Sequence, residues 1–324
     1  MNKRSLFLEI QDEAVAALEE SGVPFVVIKG CAASVYYPKP EYRRLGDIDI
    51  LVHPTDHPRA LEALRKAGFQ GEFTGKLYNI GLYKDGYEVE LHWLFTSRTA
   101  QGEISPMDQY LYSGFASIRW LTLKGHRFPA LPVWQNGVVL LHHIRRHLNA
   151  GIGLRQVTDW MLYVKNEITD EVWSSGFQEL MGRFGLDELA VTLTRVCQLY
   201  LGLDEEKITW CLGADAKLCG QLMEYLLQCG NFGRSREQKA ANHVQTFMEI
   251  RGGIGGALKY LQKDGEQSWE LLKKYPFLKP FAWIYRLCRS VYKLGKYKIT
   301  PGKLILKNKR AKQVNKMLKK LKAV

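Results

Sequence analysis

Acidic residues are missing from one end of the chain: after Glu270 there is no Asp or Glu, while Leu271 to Val324 carries 17 Lys+Arg. The formal net charge of +13 over 324 residues therefore belongs to that segment, because the first 270 residues hold 29 bases against 33 acids. Such an asymmetry points to an anionic partner, either a membrane surface or nucleic acid. Long apolar runs are also lacking. None approaches the ~20 residues of a membrane span, so no transmembrane segment is expected. The first twenty residues reach acids too soon for a secretory signal and read as an amphipathic helix. Cysteine is sparse, with six residues and no Cys-x-x-Cys pair. That excludes a zinc framework of that type or a dense disulfide scaffold, and reduced thiols in a cytosol are the expectation.

The remaining composition is globular, with 46% hydrophobic and 24% charged residues, and the length favours two domains over one. Phe7 to Glu20 has helical periodicity and ends at Ser21-Gly22. Pro24-Phe25-Val26-Val27-Ile28 is a short apolar run of the kind a buried strand gives. Cys31 to Tyr36 reads as a short helix, Asp47 to Val52 as a strand, and Arg59 to Ala67 as a helix closed by Gly68. Leu77 to Tyr83 and Tyr87 to Phe95 flank Asp85-Gly86, a hairpin signal. From Asn136 onward the patterning is helical: Val138 to Leu148, Leu154 to Val164, Phe177 to Phe184, Leu189 to Leu201, Leu218 to Leu227 and Ala241 to Glu249. Arg251-Gly252-Gly253-Ile254-Gly255-Gly256 has no strand before it and reads as a turn or hinge, not a dinucleotide fingerprint.

The strongest chemical signal is Gly46-Asp47-Ile48-Asp49. On a strand, side chains at i and i+2 share a face, so the two carboxylates project together and repel. A divalent cation with hard oxygen ligands resolves the repulsion, and Mg²⁺ together with substrate phosphates is the natural candidate. A third acid is then wanted on a neighbouring strand. Tyr87-Glu88-Val89-Glu90-Leu91-His92-Trp93 supplies one, with Glu88, Glu90 and His92 on one face; Glu90, farther from the turn, is the choice. Taken alone, Asp-x-Asp fits a solvated strand face equally well.

Val27-Ile28-Lys29-Gly30-x-Ala32, then Tyr37-Pro38-x-Pro40-x-x-Arg43-x-x-Gly46-Asp47-Ile48-Asp49-Ile50-Leu51-Val52, then Val89-Glu90-Leu91-His92-Trp93 resemble the uncharacterised bacterial nucleotidyltransferases of the polymerase-β-like superfamily. His142-His143-x-x-x-His147 and Leu154-Arg155-x-x-x-Asp159-Trp160 resemble that family's helical half. The likeness covers roughly residues 20–165 and rests on the combined spacing. It implies an α+β fold, a small mixed-sheet nucleotidyltransferase domain followed by a mainly helical domain. It also implies metal-dependent transfer of a nucleoside monophosphate from an NTP such as ATP, with release of pyrophosphate. Asp47, Asp49 and Glu90 would be the catalytic, metal-holding carboxylates for Mg²⁺, with Mn²⁺ possible. Lys29, Gly30 and Arg43 would bind the nucleotide, although Cys31 stands where relatives have Ser or Gly after the glycine. The acceptor is left open among small molecule, saccharide, protein and RNA.

The expected divisions are a nucleotidyltransferase-like domain over 1–135, a helical domain over 136–280 and a basic, aromatic-rich tail over 281–324. His143 and His147 share a helix face and line a groove or cap the helix; with no His-Glu-x-x-His and no third ligand, zinc is disfavoured. Arg155 and Asp159 stand at i, i+4 and read as a pair. The tail interleaves Phe281, Trp283, Tyr285 and Tyr292 with bases. It suits an anionic bilayer first and a phosphate backbone second, with simple solubility as the plain alternative. The expected location is cytoplasmic, at the inner face of the membrane. The competing reading of the whole chain is a non-catalytic nucleotide- or RNA-binding protein recruited by that tail.

Overall fold

The computed structural model describes residues 3–71, 78–96, 102–148, 151–229, 253–269, 271–296 and 313–323. The expected helix Ala241 to Glu249 lies outside the described residues, as do Leu77 and residues 297–312. The chain divides into two compact units, one of residues 1–146 and 155–219 and one of 147–154 and 220–324.

The first unit is α+β. Helix α1 (Lys3–Glu20) buries Phe7, Ile10, Ala14 and Leu18, a spacing of three and four, with Leu8 and Val15 beside them, so that they make one apolar stripe. It ends in a Schellman turn: Val23 N–H donates to Leu18 O and Gly22 N–H to Glu19 O, with Gly22 at φ 65°. That turn reverses the chain into β1 (Phe25–Ile28), which is buried throughout. After α2 (Gly30–Ser34) and a loop come β2 (Ile48–Val52), α3 (His57–Lys66), β3 (Asn79–Lys84) and β4 (Tyr87–His92).

These strands form one sheet in the order β1-β2-β4-β3. β2 is antiparallel to β1 and parallel to β4, and β3 and β4 form the hairpin. Asp85 and Gly86, at φ 50° and 80°, make its turn; this doubly left-handed geometry is the one an Asp-Gly pair tolerates. Strand alternation splits the sheet's residues between two faces. Val27, Ile48, Ile50, Val52, Leu82, Val89 and Leu91 join the core with α1, Ala60 and Leu64 of α3, and Phe69. Each such aliphatic side chain stabilises the fold by about 1.5–3 kcal/mol on burial. The other face is left to carry Asp49, Glu90 and His92.

A second hairpin, β5 (Arg119–Leu123) and β6 (His126–Ala130), escapes the sequence patterning. Its turn is Lys124-Gly125, a weaker signal than Asp-Gly, and Trp120 on its exposed side breaks the apolar–polar alternation. Next come α4 (Pro106–Ser113), which precedes it, and α5 (Val133–Leu148) and α6 (Leu154–Glu167), which follow. The helix Asp187–Leu201 is clamped to α6 where Trp160 Nε1 donates to Thr194 Oγ1 at 3.0 Å. In the second unit, the helices Gly253–Ser268 and Ala282–Lys296 pack on each other, with Trp269 stacked on Tyr285 at a ring separation of 4.8 Å.

Candidate active site

β2 and β4 run parallel with Asp49 directly opposite Glu90, and Leu51 opposite His92. Parallel register therefore brings Asp49 and Glu90 side by side on the face turned away from α1 and α3, with His92 on the diagonal. The Nε2 atom of His92 lies 2.9 Å from Asp49 Oδ1 and 3.3 Å from Glu90 Oε2. Among the described residues, Asp49, Glu90 and His92 form the one group of three potential metal ligands, with a ligand atom from each within 4.8 Å of the others. Asp47 stands just before the first residue of β2, on the same face by period two, and remains open to solvent.

Lys29 reaches this group from the end of β1, its Nζ 2.6 Å from Asp49 Oδ1. Its backbone is unusual. Lys29 has φ 54° and ψ −114° as the residue before α2, a conformation that costs a non-glycine residue of order 1–3 kcal/mol. The strain aims the side chain back over the sheet, where the ammonium also lies 5.7 Å from the ring centre of Phe95. Phe95 is fixed in turn by Asp108, a fully buried carboxylate that accepts from the Phe95 N–H at 2.6 Å and from Ser105 Oγ at 2.8 Å. Ser105 caps α4. Gly30 follows Lys29 at a tight approach: a Cβ there would sit 3.3 Å from the carbonyl oxygen of Asp47.

The three carboxylates titrate differently for physical reasons. Burial acts to raise Asp49, but the Lys29 charge and the His92 contact outweigh it and hold the group far below the ordinary carboxylate range. Glu90 is lowered, first by its hydrogen bond with His92. Asp47 is raised, by desolvation first and then by the like charge of Asp49, with Lys29 opposing. Since Asp47 still meets solvent, the like-charge repulsion is the contribution a bound cation would cancel. Glu88, the other acid of β4, accepts from Tyr83 Oη at 2.7 Å toward the hairpin.

Arg43 does not join this cluster directly. It is buried and makes a two-pronged pair with Asp159 of α6, Nε to Oδ1 and Nη2 to Oδ2 at 2.8 Å each, while Tyr37 Oη donates to the same Oδ1 at 2.8 Å. Its Nη1 faces Gly30, 3.9 Å from where a Cβ on that glycine would lie. Arg155 is not Asp159's partner, contrary to the i, i+4 reading. It donates to the Arg44 carbonyl oxygen at 3.0 Å, so α6 holds the loop before β2 at two points. Proximity along one helix suggested the wrong pair, because Arg43 lies 116 residues away in sequence. His142, next to the expected pair His143 and His147, is buried beside Arg145, Nδ1 to Nη2 2.9 Å.

Sequence reasoning placed His92 on the face of Glu90 without giving it a task, although period two alone was enough to find it. It missed Asp159 as the partner of Arg43, for which no local signal exists.

Curated protein sequences offer no match to the chain. Among solved structures, a solution structure of the antibiotic-resistance factor ANT(2'')-Ia is similar at 11% identity, covering 56% of this chain and 94% of that one, with a TM-score of 0.42. A crystal structure of ANT(2'')-Ia in complex with adenylyl-2''-tobramycin is similar at 12% identity, covering 55% of this chain and 99% of that one, with a TM-score of 0.41. An antigenic nucleotidyltransferase-like protein from Paracoccidioides brasiliensis matches at 14% identity over 54% of this chain and 87% of that one, with a TM-score of 0.32. Residues 1–202, well over half of the chain, match a family described as uncharacterised nucleotidyltransferases. Sheet, carboxylates and strained lysine all fall inside that match, and the chain belongs to this family of nucleotidyltransferases.

Proposed function

We propose that the chain moves a nucleoside monophosphate from an NTP, ATP in the simplest case, to an acceptor hydroxyl and releases pyrophosphate. One observation carries the reading: Asp49 and Glu90 are paired across parallel strands, with Asp47 two residues upstream and a strained lysine on Asp49. The donor set fits a hard divalent cation. It offers three carboxylates, one of them raised by desolvation and then by its neighbour's charge, and without an ion-pair partner among the described residues. Asp47, Asp49 and Glu90 would hold Mg²⁺, and Mn²⁺, which takes the same carboxylate oxygens, would be accepted as well. When bound, such ions neutralise charge on the triphosphate and the leaving pyrophosphate and lower the pKa of the attacking hydroxyl.

The chain's own residues do the positioning. Lys29 leaves Asp49 for a phosphate oxygen, and the backbone at Gly30 lets the triphosphate approach closely. Arg43 serves the nucleotide from behind Gly30, held in place by Asp159. The acceptor oxygen bonds to the α-phosphorus as the bond to pyrophosphate breaks, and Glu90 takes the acceptor's proton and passes it to water. We place the reaction in the cytosol, at an anionic membrane surface reached through the basic segment; the six free cysteines and its 17 bases support that location. No helix among the described residues is long and apolar enough to cross a membrane.

The test is transfer of label from α-³²P-NTP to cell-extract fractions, with Mg²⁺ or Mn²⁺ and with metal chelated. Metal-dependent labelling that is lost in Asp49→Asn supports the reading. Tight NTP binding with no labelled product in any fraction and no pyrophosphate release would make the chain a binding protein.

A further inference from the structure

Large apolar side chains left in water are concentrated in one short stretch. Leu271, Tyr275, Phe277, Phe281, Ile284, Leu287, Val291 and Tyr292 are all exposed, Phe277 at 73% and Tyr292 at 66%. The helix Ala282–Lys296 explains why this is a surface and not scatter. One side of it is used up: Ala282 is fully buried, the Trp283 N–H donates to Gln262 Oε1 at 3.3 Å, Tyr285 stacks on Trp269, and Arg286 pairs with Asp264. The approach is close enough that a side chain at Gly265 would collide with the Ala282 carbonyl. At 100° per residue, Ile284, Leu287, Cys288 and Val291 fall on the opposite side within about one quarter-turn of each other, and all four are exposed. Phe281 and Tyr292 border that stripe.

We propose that this outward stripe of the helix Ala282–Lys296, with Phe277 and Phe281 at its start, is the element that seats the protein on an anionic bilayer. The inference rests on the membrane location offered above and names the face responsible. Charge selects the occupant. The segment from Leu271 onward has 17 bases and no acid, so a second copy docked face to face would bring two strongly basic segments together. An anionic headgroup layer instead meets them with opposite charge. The side chains select bilayer over nucleic acid. A continuous stripe of Ile, Leu and Val gains little against a phosphate backbone, whereas a surface-lying helix buries such a stripe among acyl chains with Phe and Tyr at the headgroup level. Lys279, just before the helix and paired with Glu266, and Arg289, beside Tyr285 on the helix's packed side, are both exposed and add positive charge to the same element.

The experiment is co-sedimentation of the full chain with phosphatidylcholine vesicles and with vesicles containing 30–40% phosphatidylglycerol, roughly the charge density at which basic segments bind. It compares wild type with Leu287→Gln/Val291→Gln and with Lys279→Gln/Arg289→Gln. Leu287 and Val291 face solvent, and Lys279 and Arg289 are exposed with contacts only to Glu266 and Tyr285, so circular dichroism and nucleotide turnover should match wild type. Expected are binding to the anionic vesicles only, at least tenfold weaker partition for the apolar pair, and for the basic pair a smaller loss that deepens with salt. Equal binding by wild type and the apolar pair would overturn this face as the docking element while leaving membrane recruitment intact. No sedimentation of wild type would sink both, with nucleotidyl transfer untouched. Monomerisation of a dimer by the apolar pair, or loss of RNA binding in it without any vesicle binding, would assign the stripe to those partners instead.

Discussion

Arg43 and Asp159 are joined by two parallel hydrogen bonds of 2.8 Å, between the loop that leads into the Asp47–Asp49 strand and helix α6. Both side chains are almost fully buried. The planar fork of arginine matches a carboxylate in a way a lysine cannot. Removing one member leaves the other as an uncompensated buried charge, so Asp159→Ala should cost about 3–5 kcal/mol in urea unfolding. Arg43→Lys should be nearly as severe despite keeping the charge. If Arg43→Lys unfolds at the wild-type midpoint, the fork has no structural weight.

Lys29 is the cation that keeps buried Asp49 ionised, because the desolvation of Asp49 acts in the opposite direction. The sign follows from linkage. A carboxylate depressed in the folded state contributes stability that is fully present above its unfolded value near 4 and is lost as pH falls toward the lower folded value. In Lys29→Met that contribution shrinks and the carboxyl moves up. The acid limb of activity should then shift to higher pH while wild type stays flat there. Added Mg²⁺ should restore part of the lost range by replacing the charge. An unchanged acid limb in Lys29→Met would show that His92 alone suffices.

His142 gives a second pH dependence of opposite cause. Burial, then the charges of Arg145, Arg146 and Lys29, push its imidazole down to about 3. The folded chain therefore keeps it neutral, while the unfolded chain protonates it near 6.5, so stability should fall as pH drops from about 6.5 toward 3, by up to roughly 1.4 kcal/mol per pH unit. His142→Gln, which retains hydrogen-bonding capacity beside Arg145, should flatten that slope in denaturant midpoints measured between pH 6.5 and 4.5. Parallel slopes in the two proteins would assign the acid sensitivity to other groups.

The sheet and its acidic face were readable because strand periodicity is local. Asp47, Asp49 and Glu90 alternate with Ile48, Ile50, Val89 and Leu91, and the apolar partners do enter the core with α1 and α3. What local pattern does not contain is register. Nothing in either strand alone says that Asp49 lies opposite Glu90 and not opposite Glu88, or that β2 runs parallel to β4. Arg43 shows the same limit from another side. Its neighbours in sequence suggested a loop charge near phosphate, and its burial against Asp159 depends on where α6 is carried by the intervening chain. The β5–β6 hairpin went unread because Lys124 and Gly125, at φ 52° and 89°, adopt a turn whose usual Asn or Asp is absent.

Asp47 is the residue at which function and stability should part. Its carboxyl is raised, by desolvation first and then by the like charge of Asp49, and meets no cationic side chain within ion-pair distance among the described residues. Asp47→Asn keeps the shape and removes the repulsion, so with metal chelated the variant should melt slightly above wild type, by a few tenths of a kcal/mol at this solvent-exposed position. With saturating Mg²⁺ and NTP the order should reverse. A ligand present at about 100 times its dissociation constant adds roughly 2.7 kcal/mol to wild type, and the variant, short of one carboxylate, should gain much less. Activity should drop at least a hundredfold, on the order of what loss of one charge-stabilising group costs. Thermal melts with and without metal and nucleotide read the crossing directly. A variant that is less stable than wild type in chelator would mean that Asp47 is held by contacts, not strained by charge, and that the acids tolerate one another without a cation.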